Sequence, residues 1–465
     1  MAVALVALAG CSSGHKAAAP RRSTSSTAPT TTTAPTTSTT APLAPGTCPP
    51  PQPRVEPRAD RPRYTLKIDV RPQDNAVQGT VTVRFTPDLA TDRLVFRLWP
   101  NGPREAGAGT HLDTGPVIVD GREVQEHLDN PTTLVVPVPG GIAAGDTVEA
   151  TMAWLLRFGG PVRDRVSRSG DAMRLGSFFP ILPWEPDVGW DTEPPTGAFA
   201  EASTAPPADF TATVTVPAGF QVLATGTKGA DGTYTASAVP DFALSVGHFS
   251  DEASATVDAG HPVEVTVAVA DGLPDAAAAY LAKLTRVMPD LARRFGPFPW
   301  PTYTVAITPD LVGGIEYPMH TMQGPNSLGR TTSHELSHQW FYALVADDQG
   351  RDPWLDEGLA SWGEARAEHT ESTFRARTIP TGGAGNAGEP MTYWAGRQSI
   401  YYASVYAQPV KALLTLGDPD LIDCALRLYL SENAYRIART TDLFRALTAV
   451  FPDAVARLAP YGLHP

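Results

Sequence analysis

The segment TTSHELSHQW, residues 331–340, gathers two histidines and a glutamate into one short stretch. On a helix, His334 and His338 stand four residues apart and project from one face, so both imidazoles can reach a single ion. Glu335 follows the first histidine, where its carboxylate can reach a water on that ion. Downstream, WLDEGLASW (354–362) places Glu357 with 18 residues between it and His338. A second helix packed against the first can bring this carboxylate to the same ion. Two histidines and one carboxylate leave the fourth position of a tetrahedral zinc site open, as catalysis requires and a structural site does not. No cysteine lies nearby to close it. The chemistry expected is hydrolysis with one Zn2+ per chain, held by His334, His338 and Glu357, and with Glu335 as general base. Asp356 has two readings: it orients a ligand, or it caps a helix.

HELSHQW, the 18-residue gap and WLDEG together resemble the aminopeptidase N family of gluzincin zinc metallopeptidases. That family carries a Gly-x-Met-Glu-Asn segment ahead of the zinc helix. GGIEYP (313–318) aligns with it as a variant, with Ile315 in place of Met and Tyr317 in place of Asn. The resemblance covers most of residues 60–450, including PDFALSV (240–246). It implies that Glu316 pairs with the free α-ammonium of a peptide substrate, and that Gly313 and Gly314 allow close approach of the substrate strand. It further implies a tyrosine that donates to the developing oxyanion. VYAQPVKAL (405–413) is the local match, which selects Tyr406, in a loop entering a helix whose first turn holds Pro409. Tyr393, Tyr401 and Tyr402 are its rivals. For the family's additional amine-binding carboxylate, Glu185 in PWEP (183–186) is a weak candidate. His320, three residues from Tyr317, has two readings, a cleft-lining side chain or a solvent-exposed loop histidine, and the second, the commoner for a lone His, places it outside the site. The implied activity is removal of N-terminal residues from peptides with a free N-terminus. The competing readings are a zinc endopeptidase or other zinc hydrolase on the same fold, and a non-catalytic binding lipoprotein.

The elements that must position these residues are legible from periodicity. Residues 64–70, 78–85, 133–138, 147–154, 210–216 and 233–239 alternate apolar and polar side chains between turn signals, which predicts an N-terminal all-β, sandwich-like domain. Beyond residue 251 the period changes. Helices are expected over 274–295, 327–345, 354–369, 409–416, 419–432 and 440–450, giving an α+β, thermolysin-like zinc module. The expected division is 58–250 for the β domain and 251–465 for the catalytic domain.

Composition narrows the class. The chain has 465 residues, a formal net charge of -13 and 18% charged residues. An acidic balance argues against a nucleic-acid binder. The charge is uneven, because residues 1–54 hold no Asp or Glu and four basic residues, Lys16, Arg21, Arg22 and Arg54. The first ten residues read as a lipoprotein signal segment. LAGC (8–11) resembles a lipobox, which makes Cys11 a lipid attachment point and the only expected contact with a membrane. Residues 11–57, rich in Ser, Thr, Ala and Pro, are expected to form a disordered tether. The expected location is extracytoplasmic, lipid-anchored to the outer face of a bacterial cell membrane. Cys48 and Cys424 remain, and the sequence leaves open whether they pair. Oligomeric state is not assigned.

Overall fold

The computed structural model describes residues 46–197 and 204–465. The expected signal segment 1–10, Cys11 and the expected tether up to residue 45 lie outside the described residues. The alternation in RYTLKIDVR buries Tyr64, Leu66, Ile68 and Val70 on one face of strand Arg63–Arg71. This strand pairs antiparallel with Ala76–Phe85 and parallel with Ala208–Thr215. They form the middle of a nine-stranded sheet that continues through Val148–Arg157. Three-stranded and four-stranded sheets accompany it, and Phe96, Leu134, Met173 and Leu244 from these join the same core. The described residues ahead of 251 are therefore β-rich, with short helical turns only.

A five-stranded mixed sheet opens at Asp251. Its order runs Asp251–Asp258, Pro262–Val269, Thr302–Ile307, His320–Gln323 and finally Gly314–Tyr317 at the edge. The edge strand is antiparallel to its neighbour, with Glu316 opposite Thr321. Helix Ala277–Phe295 packs on the first two strands. It buries Tyr280, Leu284, Val287, Met288 and Leu291, the spacing its amphipathic sequence anticipates.

The helix carrying HELSH is shorter than the expected 327–345. It spans Arg330–Ser337 and is capped by His338. Past it, Gln339 and Trp340 donate back to Leu336 and Ser337, and Tyr342 sits at φ 107°, outside any helix. Trp340, Phe341, Leu344 and Val345 are all buried. An apolar run buried on every side carries no period, so helix and buried coil look alike in sequence. The second ligand helix, Pro353–Glu368, is buried along almost its whole length. It is clamped by Asp423 of helix Pro419–Asn433, which accepts from Trp362 Nε1 (2.8 Å) and Arg366 Nε (2.9 Å). The same carboxylate takes Arg294 Nη1 of the Ala277–Phe295 helix at 2.8 Å. One buried anion thus ties three helices together through charge-assisted hydrogen bonds.

The open cysteine question is answered by a disulfide between Cys48 and Cys424, with Cα atoms 5.7 Å apart. Residues 46–57, read as the end of the tether, run along the helix-rich half instead. Gly46 donates to the Val450 carbonyl, Val55 to that of Ser431, and the Arg54 guanidinium to that of Pro297. A Pro-rich strip has little to bury by itself, yet it can be held by backbone pairing and a covalent clip, neither of which composition reveals.

Candidate active site

Helix Arg330–Ser337 presents His334 and Glu335, and His338 follows at its C-cap. Glu357 comes from the second turn of Pro353–Glu368. Their donor atoms converge. His334 Nε2 lies 3.0 Å from Glu357 Oε2, the two Nε2 atoms are 3.1 Å apart, and His338 Nε2 is 3.6 Å from the same Oε2. Tetrahedral zinc with bonds of about 2.0–2.1 Å sets its ligand atoms about 3.3–3.4 Å apart, and the three separations bracket that value. The outer nitrogens are turned to carboxylates. His338 Nδ1 meets Asp356 Oδ1 at 2.5 Å, and His334 Nδ1 lies 3.5 Å from Glu364 Oε2. The Nδ1 proton held on Asp356 leaves the His338 Nε2 lone pair for an ion, while His334 Nδ1 makes no hydrogen bond among the described residues. Between the two readings of Asp356, the structure places it behind a ligand, where Gln349 Nε2 also holds its Oδ2 at 2.6 Å.

Electrostatics point the same way. Burial pushes both imidazoles down, but the carboxylates outweigh it. Glu357 and Glu364 hold His334 up at about 10, while Asp356 and Glu357 hold His338 well above its ordinary value. Burial likewise opposes ionisation of Glu357, yet the two imidazoles hold it well below the usual carboxylate range. A divalent cation can take the place of the protons that these carboxylates otherwise hold on the imidazoles. The donor set therefore fits one Zn2+ ion.

Glu335 is buried, its Oε2 has no hydrogen-bond partner among the described residues, and burial pushes its carboxyl up to about 8 against the pull of His334 and His338. It lies directly over Gly314, where an added Cβ would stand 2.5 Å from Glu335 Cδ. Gly314 thus makes room for Glu335, a role distinct from the substrate approach expected of it. Gly313 precedes the edge strand at φ +83°, a conformation that favours glycine. Glu316, on the edge strand, shares a 4.8 Å neighbourhood with Glu335 and His338. Tyr406 lies in a π-helical turn, Tyr402–Ala407, rather than in a loop, and its ring stacks on His334 with centroids 5.4 Å apart. Such wide turns recur where a side chain must be aimed at a site.

Gly313, Gly314, Glu316, His334, Glu335, Glu357 and Tyr406 line one cavity of about 760 Å³, with His338 buried beneath it. Of the rival tyrosines, Tyr401 and Tyr402 line it too, whereas Tyr393 donates to the Gly382 carbonyl away from it. Glu185 is not part of this site. It is bound by Arg351 Nη1 at 3.3 Å and by Arg439 Nη2 at 2.5 Å, on a different cavity. His320 is not a solvent-exposed loop residue either. It is fully buried in strand His320–Gln323, between Ser245 Oγ (3.0 Å) and Thr304 Oγ1 (2.8 Å), where burial lowers its pKa to about 3.

Comparison with known proteins bears on the fold. No protein-family model matches the chain. The chain is 26% identical over 204 residues to leukotriene A-4 hydrolase of Xenopus laevis, covering 37% of this chain and 32% of that protein. It is 34% identical over 80 residues to human aminopeptidase B, covering 16% and 12%. With aminopeptidase N of Plutella xylostella the identity is 27% over 146 residues, covering 28% and 15%. The chain thus spans 32% or less of the length of these three curated relatives. The solved structures reach further. An M1 zinc metallopeptidase of Deinococcus radiodurans superposes with a TM-score of 0.65 at 22% identity, over 87% of this chain and 94% of that one. A crystal structure of a mutant of it bound to a Tyr-Ser-Ala substrate gives 0.67 at 21%, over 87% and 95%. The fold is that of the M1 zinc metallopeptidases.

Within this M1 fold, several contacts of the site escaped the sequence reading. Glu364 lies seven residues after Glu357, two helical turns along the same face, and that spacing is a signal in retrospect. Arg330, one turn before His334, pairs with Glu364 at 2.5 Å and reaches the Tyr402 hydroxyl at 3.3 Å. Gln349 and Arg165 carry no such signal, because chain topology alone brings them to Glu316.

Proposed function

We propose that this chain is a zinc aminopeptidase, which removes N-terminal residues from peptides. The observation that carries the reading is the convergence of three zinc-type donors with two further carboxylates, Glu335 and Glu316, on one cavity. His334, His338 and Glu357 would hold the ion. Zinc bound there supplies a Lewis acid that activates water and polarises the scissile carbonyl. Glu335 accepts the proton of the attacking water and returns it to the departing amine. Its place beside His338 and Glu316 puts it within reach of both transfers. The Tyr406 hydroxyl donates to the carbonyl oxygen as negative charge develops. Glu316 takes the substrate's α-ammonium, so that cleavage falls after the first residue.

The β-rich part, 58–250, supplies one wall of the cleft and 251–465 the chemistry. Arg104, Arg163 and Asp164 of the former line the same cavity. Location outside the cytoplasm is supported by the Cys48–Cys424 disulfide, a bond that persists in oxidising compartments. A lipid on Cys11 would hold the enzyme at the membrane surface, and no described helix is long and apolar enough to cross one.

The test is hydrolysis of paired aminoacyl reporters, with free and with N-acetylated amino groups. Free reporters are expected to be cleaved and acetylated ones spared, with a chelator abolishing activity. Equal cleavage of both would reject the aminopeptidase reading in favour of a zinc hydrolase indifferent to the N-terminus.

A further inference from the structure

The carboxylate assigned to the substrate amine is itself held from the β-rich part of the chain. Arg165, just ahead of strand Val166–Ser169, is buried, and its Nη2 lies 3.5 Å from Glu316 Oε1. Its Nη1 lies 3.3 Å from the Tyr317 hydroxyl. Gln349 Nε2 reaches the same Glu316 Oε1 at 3.4 Å. Both of these contacts fall on Oε1, and Glu316 lines the cavity.

Tyr317 is fixed as firmly. Its hydroxyl meets Ser177 Oγ at 3.2 Å, and that serine donates to Asp241 at 2.6 Å. The phenol occupies the space above Gly176, where an added Cβ would stand 2.2 Å from the hydroxyl oxygen. A guanidinium is planar, with its N–H groups in a rigid fork, so fixing Nη1 on Tyr317 fixes the direction of Nη2 toward Glu316.

We infer that Arg165 is a positioning residue of the amine subsite: with Gln349 it ties down Glu316 Oε1, leaving Oε2 turned to the cavity for the substrate's ammonium. The inference rests on the aminopeptidase reading and extends it. Tyr317 supplies the second anchor of the fork. The ligand class is a primary α-ammonium beside an extended peptide backbone.

The decisive variant is Arg165→Lys, which keeps the positive charge but cannot span Glu316 and Tyr317 together. The kinetics of a free aminoacyl reporter would be measured on the zinc-loaded enzyme beside Tyr317→Phe and Glu316→Gln, with bound zinc and the melting midpoint of each. Arg165→Lys is expected to raise KM about tenfold, one charge-assisted hydrogen bond's worth, with kcat within about threefold and zinc unchanged. Tyr317→Phe keeps the ring and removes the hydroxyl that meets Arg165 Nη1 and Ser177 Oγ, and should raise KM about threefold. It also carries the test if the lysine variant does not fold. A raised KM in Glu316→Gln with no change in either of the other two would overturn the role of Arg165 while leaving the amine subsite standing. An unchanged KM in Glu316→Gln would overturn the amine subsite itself.

Discussion

Replacing Gly314 by alanine should disable the enzyme without unfolding it. The backbone there is not left-handed, so alanine meets no dihedral strain. The added methyl would stand 2.5 Å from Glu335 Cδ and 2.6 Å from both its Cγ and its Oε1. Carbon atoms rest at about 3.5–4.0 Å, so the carboxylate must retreat by about 1 Å. The retreating group is the end of a flexible side chain, and an off-rotamer torsion costs about 0.5–1.5 kcal/mol. A general base misplaced by 1 Å costs about 100-fold in rate. The assay is kcat/KM on a free aminoacyl reporter, beside zinc per chain and the melting midpoint. A loss near 100-fold with zinc retained is expected. Activity within about threefold of native, with zinc bound, would refute the placement of Glu335 as base against Gly314. Gly313→Ala is the contrasting variant. Its φ of +83° strains alanine but no atom lies within 4 Å, so it should lower stability by about 1–2 kcal/mol and activity less than Gly314→Ala.

Three further outcomes are expected. Tyr406→Phe keeps the ring stacked on His334 and removes only the hydroxyl, so kcat should fall about 100- to 1,000-fold with little change in KM; a preserved kcat would transfer the oxyanion role to Tyr401 or Tyr402. Cys48→Ser opens a link between residues 376 apart and should cost about 2–5 kcal/mol in urea unfolding, with an unchanged midpoint the contrary result. His320, whose pKa is about 3 when folded against an ordinary 6.5, takes up a proton on unfolding between those values. Its contribution to stability is therefore complete above pH 6.5 and lost toward pH 3, at about 1.4 kcal/mol per pH unit, and His320→Gln should flatten that slope in unfolding measured across pH.

What the sequence made legible was local. His334, Glu335 and His338 are read from a helical turn, and strands such as Arg63–Arg71 from a period of two, because both signals lie within one element. Glu357 was within reach because a helix a fixed distance downstream can only fold back on its partner in a few ways. The end of the HELSH helix was not legible, since buried on all sides Trp340–Val345 lose the periodicity that marks a boundary. Glu185 and His320 were misplaced for one reason: short polar motifs do not say which neighbours will neutralise or bury them, and here two arginines and a sheet core do. Arg165 reaches Glu316 across 151 residues of chain, a contact that exists only once the β-rich and helix-rich parts are assembled.

The proposed activity needs one ion at one site. The most direct measurement returns zinc stepwise to metal-free enzyme while hydrolysis of a free aminoacyl reporter and bound zinc are followed together. Activity should rise from zero in proportion to bound zinc and level off at one ion per chain, and a Glu357→Gln variant should lose both together. Hydrolysis by the metal-free protein, or activity that does not follow occupancy of that first ion, would contradict it.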